Sequence, residues 1–162
     1  MTPLTAAEIR ASFVNCSRGE AKRAALPDIA AVPWTDLDFL GWVDPSGSSR
    51  AYLVVERDGA PLGIQLRQTA GVGAARKTMC HVCITAHSGN GVALSVAQKT
   101  GAAGRKGDST GLYLCRDLAC SLYVRGKKRT GTVRLPETLS VEAAIERLRR
   151  NLDQFVDRVT QP

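Results

Sequence analysis

The stretch Met79-Cys80-His81-Val82-Cys83, answered across 31 intervening residues by Cys115-Arg116-Asp117-Leu118-Ala119-Cys120, decides how this chain folds. A C-x2-C turn lets two thiolates reach one ion while its backbone N–H groups point at the sulfurs. A second cysteine pair brought back from a distance completes a tetrahedral set. Cys80, Cys83, Cys115 and Cys120 are therefore expected to hold one structural zinc ion. Between the pairs lie Gly89, Gly91, Gly101, Gly104, Gly107 and Gly111, which flank two strand-like runs, 92–96 and 111–114, and read as a glycine-rich hairpin.

Knuckle, hairpin, then two ligands at the start of a further element is a treble-clef layout. The C-x4-C second pair is wider than the C-x2-C commoner there, so the helix that follows such a hairpin is expected to shrink to a turn. Ser121-Leu122-Tyr123-Val124 then reads as a further strand. Other uses of the cysteines fit less well. A redox C-x-x-C opens a helix after a strand, whereas this one precedes a turn-rich hairpin, and covalent haem needs a histidine where Ile84 stands. Iron shares the softness and geometry of the site and stays open beside zinc, the commoner occupant. With four thiolates available, His81 and His87 are expected as exposed loop residues, and Cys16 as a buried or inert thiol.

The length of 162 residues suits one domain, and 44% hydrophobic with 23% charged residues is ordinary for a globular chain. The first residues, Met1 to Glu8, form neither the basic nor the apolar region of a signal peptide, and no apolar run approaches the roughly 18 residues of a membrane span. A cytoplasmic protein outside the membrane is expected. The net charge of +7 is concentrated between Lys99 and Arg134, where Lys99, Arg105, Lys106, Arg116, Arg125, Lys127, Lys128, Arg129 and Arg134 face only Asp108 and Asp117. The rest of the chain is balanced, so this segment reads as partner-facing.

Taken in order, an α+β fold emerges. Residues 1–38 form a helical segment: Thr5-Ala6-Ala7-Glu8 is a capping box opening a helix to about Val14 with Ile9 and Phe13 inward, and Glu20–Leu26 is a second short helix stopped by Pro27. Residues 39–78 form a meander, with strands at 39–43, 51–55 and 61–66 joined by a Pro-Ser-Gly-Ser turn and an Asp-Gly turn, then a link carrying Arg76 and Lys77. The zinc-binding unit covers 79–125. A basic loop, Gly126–Gly131, follows, and Pro136 ends the strand region. Within 136–160 Ser140 caps a C-terminal helix whose apolar stripe is Val141, Ile145, Leu148, Leu152, Phe155, Val156 and Val159. No nucleophile elbow, H-E-x-x-H or P-loop occurs, and four thiolates leave zinc no open position, so a binding module rather than an enzyme is expected.

Several of these words together, Phe13-Val14-Asn15-Cys16-Ser17, Leu40-Gly41-Trp42-Val43-Asp44, Met79–Cys83, Gly111–Asp117 with Cys120, and Tyr123–Gly126, resemble the C-terminal treble-clef zinc-finger domain of the elongation factor G-binding proteins that confer fusidic acid resistance. The resemblance runs from about Thr5 to Val159 and implies a zinc-bearing domain that docks on elongation factor G and helps it leave a stalled ribosome. It further implies contact through the knuckle, here His81 and Val82, and through the hairpin before the third cysteine, here Lys106 and Ser109. His81 and Ser109 stand where that family is expected to carry aromatic residues, and its separate N-terminal helical bundle is missing from this sequence.

Two binding functions follow. The first is a zinc adaptor for elongation factor G or the ribosome, with His81, Val82, Lys99, Arg105, Lys106, Arg125, Lys127, Lys128 and Arg129 as the partner-binding set. The second is direct RNA or DNA binding through the same cations. Aromatic content of 5% leaves the second few stacking platforms beyond Tyr113 and Tyr123.

Overall fold

The computed structural model describes residues 1–69, 78–131 and 138–161. The Arg76–Lys77 link, Arg134 and Pro136 lie outside them. Thr5 and Glu8 make both bonds of the expected capping box, and helix α1 (Ala6–Ser12) follows. It stops short of Val14 because Phe13 leaves it to lie beside Gly63, with Val14 N–H bonded to Gly63 O at 3.0 Å. A Cβ on Gly63 would sit 2.5 Å from Ser12 Oγ, so only glycine lets α1 land on the sheet there. Helix α2 (Arg18–Arg23) both starts and ends earlier than the expected Glu20–Leu26, since Ser17 and Glu20 form a second capping box that sets its start. Two single turns, Ile29–Ala31 and Trp34–Asp36, fill the irregular connection.

The meander is β1 (Phe39–Val43), β2 (Arg50–Arg57) and β3 (Ala60–Gln68), closed by an Asp58-Gly59 turn in which both residues have positive φ. Next comes a two-stranded knuckle, β4 (Thr78–Met79) with β5 (Ala86–His87), and then β6 (Val92–Gln98) and β7 (Ser109–Cys115). The five long strands form one antiparallel sheet in the order β1-β2-β3-β6-β7. A short helix, α3 (Gly101–Arg105), interrupts the β6–β7 connection that the glycines had suggested was a plain hairpin. Its Gly104 touches the Lys99 carbonyl so closely that no Cβ fits. Residues 121–124 are not a strand. They belong to helix α4 (Cys120–Val124), whose buried residues Cys120, Ser121, Tyr123 and Val124 repeat as one helical face rather than alternating.

Helix α5 (Val141–Thr160) is capped by Ser140, whose Oγ accepts from Ala143 N–H at 3.2 Å. Leu148, Leu152, Phe155, Val156 and Val159 are buried as the stripe requires, but Val141 is exposed and Ala144 takes its place inside. The sheet thus separates two cores. One face packs α5 together with all four cysteines; the other packs α1 and the irregular connection around Trp42 stacked on Tyr52 at 5.0 Å. Among the described residues no helix is long and apolar enough to cross a membrane.

Candidate metal centre

Cys80 and Cys83 sit at the tip of the β4–β5 knuckle, Cys115 ends β7 and Cys120 opens α4. The knuckle closes through Ile84 N–H to Cys80 O at 2.9 Å and Cys80 N–H to Thr85 O at 3.0 Å. This forces Ile84 to φ 58°, which a β-branched side chain resists. Leu118, between the second pair, has φ 55° and its N–H reaches Cys115 O at 2.9 Å. Left-handed backbone of this kind costs about 1–3 kcal/mol per residue and persists where the surroundings over-determine it. Both metal-binding turns contain it.

All four sulfurs are buried and lie within 4.8 Å of one another, with Cys80 Sγ 3.7 Å from Cys120 Sγ and Cys83 Sγ 3.5 Å from Cys115 Sγ. A zinc ion held at about 2.3 Å by four sulfurs requires edges of about 3.8 Å, so the donor set fits one tetrahedral ion. Burial opposes a thiolate at Cys80, but hydrogen bonds from Cys115, Cys120 and Cys83 and from the Cys83 backbone outweigh it and draw its pKa well below the ordinary thiol range. Hydrogen bonds with Cys115, Cys80 and Cys83, together with burial, push Cys120 well above it. A divalent cation is what lets four thiols ionise together in so buried a place. The four cysteines form a single zinc site.

The elements around the centre hold it from three sides. Gly41 on β1 lies against the second turn, where a Cβ would meet Leu118 Cβ at 2.6 Å and Leu118 O at 3.0 Å. Asn151 on α5 donates from Nδ2 to His81 O at 3.2 Å and Val82 O at 3.1 Å, tying the knuckle to the long helix. An asparagine three residues beyond Leu148 on the buried stripe was the one available signal for this role. His87 is not the exposed loop residue expected. Its ring is buried, 3.2 Å from Cys115 Sγ, and packs edge-on against Tyr123. Nothing in the cysteine spacing announces it. Burial holds its pKa below the usual imidazole value.

The expected partner-binding residues divide. His81 is exposed at the knuckle tip, edge-on to Tyr113 at 5.4 Å, with its N–H on Tyr113 O at 2.8 Å. Val82, nominated with it, is instead completely buried in the core. Lys99, Arg105 and Lys106 cluster around α3, at the far end of β7 from the zinc. Arg125, Lys127 and Lys128 are ion-paired within the fold, to Asp38, Asp36 and Asp117 respectively, the first two of these acids coming from far back in the chain and the third from the segment itself. Arg129 is exposed on that loop. Cys16 is half-buried, and burial followed by the nearby Glu20 charge keeps it a thiol.

Searches of curated proteins and of solved structures returned no match. A family model, the FBP C-terminal treble-clef zinc-finger, matches residues 8–159, nearly the whole chain, from within α1 to within α5. With its four-thiolate centre and its knuckle–hairpin–helix order, the chain belongs to the FBP C-terminal treble-clef zinc-finger family.

Proposed function

We propose that this chain is a non-enzymatic, cytoplasmic zinc-bearing adaptor that docks on elongation factor G, on or beside the ribosome, and modulates elongation. The observation that supports this reading is the outer strand β7 with its two ends. His81 stands exposed toward one, its N–H on the Tyr113 carbonyl, and Arg105 and Lys106 stand exposed in the connection that leads into the other. Among the described residues Lys99, Arg105 and Lys106 make no ion pair, whereas Arg125, Lys127 and Lys128 do. A rigid edge with a knuckle at one end and free cations at the other suits a folded acidic partner, and the closed zinc site supplies rigidity rather than chemistry.

Titration of the purified zinc-loaded chain against elongation factor G and against an unrelated RNA, at two salt concentrations, tests the proposal. Saturable 1:1 binding to the factor is expected, lost on Lys106→Glu and retained on Lys127→Ala, whose ammonium faces Asp36. Tight RNA binding that falls with salt at a log–log slope of about −0.7 to −0.9 per phosphate contacted, with no complex with the factor, would replace this reading by direct nucleic-acid binding.

A further inference from the structure

His87 carries an inference that the four-cysteine site does not itself contain. Its Nε2 lies 3.2 Å from Cys115 Sγ, within hydrogen-bonding distance. It stands outside the group of sulfur atoms that all lie within 4.8 Å of one another, beside the tetrahedron rather than at a vertex. We propose that His87 is a positioning residue of the metal centre, donating its Nε2–H to the Cys115 thiolate.

A metal-bound thiolate has no proton to give, so an unprotonated Nε2 facing it would set lone pair against lone pair. Only the Nε2–H form is attractive. Four thiolates on one zinc ion leave a net charge of −2 in a buried place, and a donor aimed at one of them offsets part of it without occupying a coordination position. The ring is held for this task. Tyr123 packs against it at 4.9 Å with the rings nearly perpendicular, and Tyr123 is itself fixed by its hydroxyl on Asp117 Oδ2 at 2.8 Å. On the other side Gly91 leaves room, since a Cβ there would come within 2.6 Å of His87 Nδ1. Cys115, His87, Tyr123 and Asp117 thus form one chain of contacts from the metal to the surface.

Two variants separate donation from packing. His87→Phe keeps an aromatic ring and removes the donor; His87→Gln keeps an N–H near the Nε2 position. Competition with a chromophoric chelator should show zinc affinity about 10- to 100-fold lower for His87→Phe and largely restored for His87→Gln. In the cobalt-substituted chain the thiolate-to-metal charge-transfer band of His87→Phe should move to lower energy, because a thiolate without its hydrogen bond gives up electron density more readily. Should His87→Phe fail to fold, the wild-type chain loaded with 113Cd answers the same question by NMR. The His87 Nε2–H proton should couple to the metal across the Cys115 sulfur. Equal affinity and an unshifted band in a folded His87→Phe, a proton found on Nδ1 instead of Nε2, or a cobalt spectrum of three sulfurs and one nitrogen would each overturn the proposal.

Discussion

Asp38 receives the Arg125 guanidinium as a fork, with Nη1 2.5 Å from Oδ2 and Nη2 3.1 Å from Oδ1, and its own carboxylate is wholly removed from solvent. Arg149 adds a bond from Nε to the same Oδ1 at 2.9 Å. One carboxylate thereby joins the start of the sheet to the end of the zinc-bearing helix α4 and to α5. The basic segment, which composition alone reads as partner-facing, is at Arg125 part of the internal structure.

Asp38→Asn should destabilise the chain by about 3 kcal/mol, because it leaves Arg125 without its counter-charge. Burial opposes ionisation of Asp38, but the hydrogen bonds and charges of Arg125 and Arg149 prevail and lower its pKa. A lowered carboxylate contributes its full stability above the unfolded value of about 4 and loses it as pH falls through the folded value. Urea melts from pH 7 down to pH 3 should show this acid-side loss in the wild-type chain and a flatter profile in Asp38→Asn.

Gly41→Ala should cost about 1–3 kcal/mol by overpacking against Leu118, although alanine is the better strand former. Besides Phe39 Cε2 at 2.9 Å, it would meet Leu118 Cβ and Leu118 O, which belong to the strained second metal turn, so zinc should also be lost to a chelator faster. An unchanged melting temperature would show that β1 and the turn slide apart freely.

Asn151→Ala should lose about 1–2 kcal/mol with the two carbonyl bonds to the knuckle. Asn151→Asp should lose more, since a carboxylate would face the carbonyl oxygens of His81 and Val82 at hydrogen-bond distance. The order Asn, Ala, Asp in thermal denaturation checks the assignment.

Leu148→Ala should cost about 2–5 kcal/mol through lost transfer energy and the cavity left behind. Leu148 is fully buried in the same cluster as the four cysteines. A loss below about 0.5 kcal/mol, the range of ordinary surface changes, would contradict α5 as part of that core.

Much of this was legible because it depends on short-range rules. The capping box at Thr5, the Asp58-Gly59 turn, the α5 stripe and the four ligands each follow from residue spacing alone. What was not legible depends on packing contacts rather than on spacing. Ser121–Val124 is too short for alternation and helical repeat to be told apart, and anchoring through Cys120 and Tyr123 decides for a helix. Gly101 and Gly104 look like hairpin glycines, but Gly104 is required because the Lys99 carbonyl, just ahead of α3, leaves no room for a Cβ. The ion pairs of Arg125 and Lys127 join residues about ninety positions apart, and the contact of His87 with Cys115 depends on how β5 lies over the end of β7. No local pattern carries such information.

Metal content of the natively purified chain, measured together with its fold before and after chelation, tests the central claim most directly. One zinc per chain is expected, and its removal should unfold the region from the knuckle to α4, because site assembly contributes on the order of 10 kcal/mol or more to folding. Cys120→Ser should behave like the chelated wild type. A chain that stays fully folded with no metal and four free thiols at Cys80, Cys83, Cys115 and Cys120 would contradict the account.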